Sequence, residues 1–231
     1  MYHSIVPEVG EDPGQKTTPV SLFEEQMAFL AGNGYRVVPA EEIARRLARG
    51  EPFEPKTVAL TFDDGFSDNH DLAFPVLRKY RFPAAIFLVA DAVEGGDHLT
   101  WSQAREMQAS GLVQFGCHGA THRKLAGLPG RALREETEGA RRMIQDRLGA
   151  EVPLFAYPFG SYRSWDRAVR AAVERAGFLA AFTAIFGFNT ASSDRFLLRR
   201  SRVSWRDEIP EFRRLLGGAY DWYALAQWVQ A

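Results

Sequence analysis

The chain has 231 residues, of which 46% are hydrophobic and 25% charged, a composition that fits one globular domain with a substantial core. Its formal net charge of −1 offers no electrostatic basis for binding nucleic acid or an anionic membrane. The sequence contains one cysteine, Cys117, which excludes an intramolecular disulfide. We therefore expect a single domain over residues 1–231 and no nucleic-acid partner.

The opening residues have the pattern of neither a signal peptide nor a transmembrane run. Residues 1–5 resemble the second half of a strand, so we expect the natural start to lie upstream, and the localisation stays open. Proline and glycine residues in 7–20 predict a loop. Ser21 and Glu24 then predict a capping box at the start of the first helix, which ends near Gly32.

Short apolar runs and amphipathic stretches alternate along the rest of the chain, which predicts a parallel α/β architecture. Roughly seven strand–helix units favour a closed or nearly closed (β/α) barrel over an open sheet, with functional sites at the carboxyl ends of the strands. The predicted strands are 35–38, 57–60, 84–89, 113–117, 154–157 and 178–183. The predicted helices are 40–49, 71–80, one from Thr100 or Ser102 to about 109, 129–148, 165–175 and 210–231.

The most informative stretch is Thr61-Phe62-Asp63-Asp64-Gly65, which follows the predicted strand 57–60. Adjacent carboxylates at the end of a buried strand are costly unless they are paired or bind a metal. Because successive strand side chains point to opposite faces, one carboxylate could hold a metal while the other serves as a base. A turn in which the glycine supplies positive φ explains the same residues, so this stretch alone leaves both interpretations open.

A second motif, His118-Gly119-Ala120-Thr121-His122, follows the predicted strand 113–117. Two imidazoles four residues apart fall on one face of a helical turn and can meet one metal ion. The spacing alone is a weak indication, and surface coincidence explains it as well. Because both motifs follow strands of one predicted sheet, an Asp plus His plus His site with open positions for water and substrate is a reasonable hypothesis.

A third motif, Tyr157-Pro158-Phe159-Gly160, also ends a strand and predicts a rigid turn, although an ordinary strand-to-loop turn explains it when it stands alone. The three motifs, in this order and spacing over 55–165, resemble the polysaccharide deacetylases of the NodB-homology type (carbohydrate esterase family 4). Residues 1–5, 20–23 and 99–101 resemble the branch that includes the poly-β-1,6-N-acetylglucosamine deacetylases.

This resemblance implies a distorted (β/α) barrel of about seven parallel strands and a divalent metal, most often zinc, with cobalt or nickel as alternatives. A metal of this kind lowers the pKa of water, and a carboxylate that is not a ligand can take the proton. The residues that the resemblance assigns are Asp64, His118 and His122 as metal ligands, Asp63 as general base, and Phe159 for its oxyanion-stabilising backbone N–H. Tyr157, in the same motif, is a further candidate for a substrate contact.

The sequence departs from the family pattern at two places. Ala156 stands where many members have an arginine that pairs with the base, and the late histidine that supplies a general acid in many members is missing. In the branch that this chain resembles, the acid comes from the amino-terminal Tyr-His segment, so we assign His3 as general acid. Arg200, or alternatively Arg199, is the candidate partner of Asp63.

The predicted function is a metal-dependent carbohydrate N-deacetylase that hydrolyses acetamido groups of an N-acetylhexosamine polymer or glycoconjugate. An O-acetyl esterase or an aminosugar deformylase could use the same site. A carbohydrate-binding pseudoenzyme would fit the missing arginine and late histidine, but the intact Asp63 argues against it, because a pure binder needs no base. The oligomeric state and the glycan linkage stay open.

Other polar and aromatic residues near the motifs receive structural interpretations. Cys117 is expected to be a small buried residue that points away from the site. Asp68 and Asn69 are expected to cap the helix that follows the first motif. Some of the nearby aromatic residues could line a sugar groove, and others are expected to belong to the core. These aromatic residues are Tyr157, Tyr162, Trp101 and Trp165.

Overall fold

Short apolar segments become the strands of the computed structural model, which describes residues 1–8, 10, 12, 14 and 16–229. The strands are β1 (Ser4–Val6), β2 (Thr17–Pro19), β3 (Arg36–Val37), β4 (Thr57–Val58), β5 (Leu60–Phe62), β6 (Ala84–Leu88), β7 (Val113–Cys117), β8 (Leu154–Ala156) and β9 (Ala180–Phe182). Within the described residues, β5 to β9 form a parallel sheet in chain order, and β1–β2 and β3–β4 form separate parallel pairs. Nearly every side chain of the five-stranded sheet is buried, as expected for strands covered on both faces.

Amphipathic helices connect these strands and cover the sheet. The helices are α1 (Val20–Gly32), α2 (Ala40–Ala48), α3 (Phe74–Tyr80), α4 (Trp101–Ala109), α5 (Gly130–Arg134), α6 (Ala140–Leu148), α7 (Arg167–Arg175), α8 (Ile209–Leu216) and α9 (Tyr223–Val229). In the part of the chain that the structure describes, no helix has both the length and the apolar character needed to span a bilayer.

Irregular segments from opposite ends of the chain complete the barrel. Tyr2 forms a parallel bridge to β5 at one edge of the sheet, and Leu198 forms a parallel bridge to β9 at the other. The two segments then join each other, because the Val203 N–H donates to the Met1 carbonyl at 2.9 Å. The predicted distorted (β/α) barrel is confirmed. At two positions in the barrel wall these irregular segments take the place of regular strands.

The predicted start of the first helix is wrong. α1 begins directly after β2, with Pro19 at its N-cap, and no side-chain capping bond forms there among the described residues. Ser21 therefore lies inside the first turn. β2 itself lies within the predicted loop 7–20 and is stabilised by pairing with β1, a contact that its own short sequence does not reveal. The capping box of this chain forms instead at Thr100 and Gln103, at the start of α4.

Two predicted helices contain a π-helical turn. Asn69–Ala73 precedes α3, and Glu135–Gly139 separates α5 from α6 within the predicted helix 129–148. Pro75 is tolerated because it lies in the first turn of α3, where the backbone N–H is not needed. Such turns are rare, and they occur frequently at functional sites.

The predicted carboxyl-terminal helix 210–231 is divided at Gly217 and Gly218 into α8 and α9, and its last two residues lie outside the described residues. Phe212 and Leu215 pack into the core. Three large apolar side chains from the later part of the tail are exposed at the surface. These exposed residues are Trp222, Leu225 and Trp228.

Candidate active site

The three motifs meet at the carboxyl-end rim of the sheet. Asp63 and Asp64 follow β5, His118 follows β7, and Phe159 lies in the turn after β8. Neighbouring parallel strands end at the same edge, so the barrel brings together residues that are far apart in sequence.

Left-handed backbone conformations mark this rim. The φ angles are 72° at Asp64, 57° at His122 and 61° at Phe159, values that cost free energy for residues other than glycine. Such conformations persist only where the surrounding structure holds them, and they concentrate at functional sites.

Asp64, His118 and His122 form the predicted cluster. The Asp64 Oδ1 atom lies 3.2 Å from His122 Nε2 and 3.5 Å from His118 Nε2, and the three donor atoms lie within 4.8 Å of one another. Burial by itself would raise the pKa of Asp64. The two nearby imidazoles, together with Lys16, outweigh burial and hold this pKa well below its usual range.

The orientation of the His118 ring is set by a backbone carbonyl. Its Nδ1 atom lies 2.8 Å from the Ala156 carbonyl oxygen, and because a carbonyl only accepts, Nδ1 must carry the proton. The Nε2 lone pair therefore faces Asp64, which is the tautomer that a metal ligand needs. Burial lowers the pKa of His118, which also favours the neutral ring.

The donor set fits a divalent metal. Asp64 Oδ1 is buried and, in the described part of the chain, makes no well-formed hydrogen bond. Leaving a buried acceptor unsatisfied is costly, and a cation would remove that cost. One carboxylate oxygen and two imidazole nitrogens suit zinc, and cobalt or nickel accept the same donors.

Asp63 has a different environment from its neighbour. Its two carboxylate oxygens accept bidentate hydrogen bonds from Arg200 Nη1 and Nη2 at 2.7 and 2.8 Å, and both residues are buried. Burial by itself would raise the pKa of Asp63, but the Arg200 guanidinium outweighs burial and holds it below the usual range. The structure thus pairs Asp63 with Arg200, one of the two candidates from the sequence.

Arg200 is fixed on several sides. Its Nε donates to the Thr183 carbonyl at 2.8 Å, and its guanidinium lies 5.4 Å from the ring centroid of Phe87 and 5.8 Å from that of Phe182. Arg199 is exposed, and its backbone N–H donates to Asn189 Oδ1. The second candidate therefore does not contact Asp63.

His3 lies next to the same cluster. It is 8% exposed, and in the described residues its Nδ1 has no hydrogen-bond partner. Burial lowers the pKa of His3 to about 4, so the imidazole is neutral at pH 7. Asn69 Nδ2 donates to the His3 carbonyl at 2.8 Å, which fixes the backbone that carries the ring.

The predicted helix caps at Asp68 and Asn69 are wrong. No side-chain capping bond forms at this helix start among the described residues. The Asp68 carboxylate instead accepts hydrogen bonds from Ser4 Oγ and, at 3.0 Å, from the Ile5 N–H. Both side chains therefore hold the amino-terminal segment at the site, a contact between distant residues that local helix signals do not indicate.

A cavity of about 260 Å³ opens onto the cluster and is lined by His3, Asp63, His118, His122 and Phe159, among others. Phe159 is 60% exposed, and its ring lies 4.8 Å from that of His122. Its backbone N–H has no hydrogen-bond partner within the described chain, so it is available to a ligand.

Tyr157 differs from the expectation of a substrate contact. Its side chain is buried in the core and its hydroxyl donates to the Phe196 carbonyl at 3.0 Å, so the phenol does not line the cavity. Burial also raises its pKa. Trp101 is likewise buried in the core, and so is Cys117, as its sequence position predicted.

Sequence reasoning missed Glu136. This buried carboxylate lies in the second π-helical turn and accepts hydrogen bonds from the backbone N–H groups of Ala120 and Thr121, between the two cluster histidines. One indication was available: Glu136 interrupts the apolar stripe through Leu133 and Ala140, where a charged residue needs a buried partner.

An Asp–His–His cluster at the rim of a barrel suits metal-assisted hydrolysis, and comparison with known proteins specifies the family. The family model for polysaccharide deacetylase matches residues 50–181. The chain is 30% identical over 204 residues to YxkH of Bacillus subtilis (strain 168), covering 88% of this chain and 70% of that protein. It is 32% identical over 132 residues to the poly-beta-1,6-N-acetyl-D-glucosamine N-deacetylase of Escherichia coli (strain K12), covering 51% of this chain but 20% of that protein. The chain belongs to the polysaccharide deacetylase family.

Solved structures agree with this assignment. IcaB from Ammonifex degensii superposes with a TM-score of 0.77 at 27% identity, covering 100% of this chain and 95% of IcaB. The Streptococcus pyogenes deacetylase PplD, solved in complex with acetate, gives a TM-score of 0.82 at 23% identity over 93% and 95% of the two chains, a likeness of fold. The predicted fold and family are confirmed, and so is the enzyme class of a polysaccharide deacetylase, with an Asp–His–His cluster that could hold a metal ion.

Proposed function

We propose that this protein is an N-deacetylase that removes acetyl groups from the acetamido substituents of an N-acetylhexosamine polymer or glycoconjugate, with residues 1–231 acting as one catalytic domain. The observation that carries the proposal is the juxtaposition of a metal-fitting triad with Asp63, a buried carboxylate that Arg200 keeps ionised. The name of the Escherichia coli relative makes β-1,6-linked N-acetylglucosamine the first glycan to test.

Asp64, His118 and His122 would hold the metal, for which zinc is the first choice and cobalt or nickel are alternatives. A divalent metal in such a site supplies Lewis-acid polarisation of the acetamide carbonyl and lowers the pKa of water. The chain's part is to present two imidazoles and one carboxylate at the rim, with the His118 ring oriented by the Ala156 carbonyl.

Asp63 would serve as the general base. Its Oδ2 lies 3.9 Å from His118 Nε2, which places it beside the triad, while both of its oxygens are held by Arg200. An ionised carboxylate in this position can take a proton from the attacking water. Arg200 would thus supply the pairing that other family members obtain from an arginine at the position of Ala156.

His3 would pass a proton to the leaving amine. Because burial keeps its imidazole neutral before the reaction, His3 must gain a proton during turnover, for which the proton that Asp63 takes from water would be the source, and then donate it to the amine. The negative charge on Asp63 and Asp64 favours the protonated ring and therefore supports this role. The free N–H of Phe159 would donate to the oxyanion that develops on the acetamide oxygen.

An O-acetyl esterase, a deformylase and a binding pseudoenzyme remain distinguishable by experiment. The decisive assay offers the metal-loaded protein β-1,6-linked N-acetylglucosamine oligomers, O-acetylated oligomers and an N-formyl aminosugar, and measures the released acid. We expect acetate from the N-acetylated oligomers as the main product, and about 10²–10⁴-fold slower release from the Asp63→Asn variant. Release from the O-acetyl or N-formyl compounds alone would reassign the substrate, and tight metal binding without any release would favour a binding role.

A further inference from the structure

We infer that Glu136 is a positioning residue that fixes the backbone between the two cluster histidines and thereby sets the affinity of the triad for its metal. The inference rests on the proposed metal site and deepens it, because Glu136 donates no atom to the cluster itself. It concerns the segment His118–His122, called the histidine loop below.

The contacts of Glu136 occupy both of its oxygens. Oε2 accepts hydrogen bonds from the Ala120 N–H at 2.8 Å and the Thr121 N–H at 3.0 Å. Oε1 accepts a hydrogen bond from the Thr121 hydroxyl at 2.5 Å and lies 2.9 Å from Arg123 Nε. Two successive backbone donors of the histidine loop therefore converge on one buried carboxylate, a charge-assisted arrangement stronger than ordinary hydrogen bonds.

The loop lies directly against this carboxylate. Gly119 has a φ of 83°, and a Cβ atom placed there would come within 3.0 Å of Glu136 Oε2. Glycine at this position satisfies the left-handed backbone and leaves room for the carboxylate at the same time. The loop sequence and Glu136 therefore fit each other as one unit.

The position of Glu136 in its helix is as unusual as its burial. It lies in a π-helical turn, and it occupies the apolar stripe that otherwise packs Leu133 and Ala140 into the core. The ion pair with Arg123 does not by itself explain why Glu136 is buried, because half of the Arg123 side chain is exposed whereas Glu136 is 2% exposed. A buried charge needs partners, and the backbone of the histidine loop supplies them.

The two histidines depend on Glu136 to different extents. His118 is also fixed by its own hydrogen bond to the Ala156 carbonyl. His122 has a left-handed backbone with φ of 57°, and its side chain is 25% exposed, so its position depends mainly on the loop that precedes it. Loss of Glu136 should therefore loosen His122 first and weaken the binding of a metal that needs all three donors.

The test compares Glu136→Ala and Glu136→Gln with Glu138→Ala as the matched control. Glu138 lies in the same π-helical turn but is exposed and pairs only with Arg142 among the described residues. The dissociation constant for Zn²⁺ is measured by competition with a chromogenic chelator, and amide hydrogen exchange of Ala120 and Thr121 is measured on the metal-free full chain.

We expect Glu136→Ala to weaken Zn²⁺ binding by about 10–100-fold, the usual effect of losing a group that orients metal ligands, and to accelerate exchange at both amides. Glu136→Gln, which keeps the size of the side chain and one acceptor oxygen, should fold normally and give an intermediate loss, while the control keeps the wild-type values. Wild-type Zn²⁺ affinity and unchanged exchange in Glu136→Gln and Glu136→Ala would overturn the inference. Both readouts are independent of turnover, so a failure to deacetylate any glycan would count against the proposed function and not against Glu136.

Discussion

The two sides of the active site are built in different ways. The metal side consists of Asp64, His118 and His122, which follow regular strands of the central sheet. It includes Asp64 Oδ1, a buried oxygen without a hydrogen-bond partner among the described residues. The proton side consists of Asp63 and two residues from the irregular closing segments, His3 and Arg200. The adjacent carboxylates thus have different environments: Arg200 pairs with both oxygens of Asp63, whereas Asp64 has Lys16 3.5 Å from Oδ2 and no hydrogen-bond partner at Oδ1 among the described residues. We therefore expect metal capture and proton transfer to be separable by mutation.

The largest effect is expected on the metal side. His118→Ala removes a donor whose Nε2 faces Asp64 and leaves two of the three donor groups, so the variant should lose its metal and with it turnover. Metal content after gel filtration and acetate release on the same sample check this prediction. A variant that retained wild-type metal content would show that the ligand set is wrong.

On the proton side, His3→Gln should slow turnover by about 10²–10⁴-fold, the usual contribution of a general acid, while metal content stays unchanged. The control is His70→Gln, because His70 pairs with Asp71 and Glu106 at the surface, outside the cavity. Near-normal turnover in His3→Gln would remove His3 from the mechanism, and parallel loss of metal would remove the separation between the two sides.

Arg200 should contribute to stability as well as to activity. Arg200→Met leaves the buried Asp63 carboxylate unpaired, and we expect a loss of about 3–5 kcal/mol in the free energy of unfolding at pH 7. Arg199→Met, at an exposed neighbour, should stay within about 0.5 kcal/mol of wild type. Urea unfolding of the three proteins measures both values, and equal stability of all three would contradict the pairing.

The pH dependence of that difference follows from the Asp63 pKa. Since the pKa of Asp63 is below 3.8 in the folded protein, its contribution to stability is fully present above that ordinary value and is lost as the pH falls through the folded-state pKa. The gap between wild type and Arg200→Met should therefore be full at neutral pH and shrink in acid. A gap that widened in acid would contradict the sign of the shift.

The smallest expected effect concerns Cys117, which precedes His118 but belongs to neither side. Its side chain is fully buried, and burial raises the pKa of the thiol to about 12. Because the thiolate is the reactive form, we expect no reaction with Ellman's reagent in the native protein at pH 8 and complete reaction in urea. Rapid native labelling would mean that the end of β7 opens more readily than its packing implies.

The contrast between regular strands and irregular closing segments also separates what could be predicted from the sequence and what could not. β6 and β7 were predicted within a residue, and β6 is the clearer of the two because a fully buried strand leaves a continuous apolar run. The segment around Tyr2 was recognised only as strand-like and the one around Leu198 was not predicted as a strand, since their places are set by pairing with β5 and β9. The Asp–His–His set was predictable because both motifs directly follow strands.

Side-chain contacts between distant segments were the part that sequence could not supply. Both Arg199 and Arg200 were candidates for Asp63, and only the path of the closing segment decides which one turns inward. Glu136 and Asn69 lie in π-helical turns that no local propensity predicts, and each holds a segment that carries a site histidine. Long-range geometry, rather than residue type, determines these contacts.

The most direct test of the separation between metal capture and proton transfer compares Asp63→Asn with Asp64→Asn for metal stoichiometry and acetate release. We expect Asp63→Asn to retain one metal per chain with turnover reduced by about 10²–10⁴-fold, and Asp64→Asn to lose both. Loss of metal from Asp63→Asn, or full metal occupancy in Asp64→Asn, would contradict the assignment of these adjacent carboxylates to different tasks.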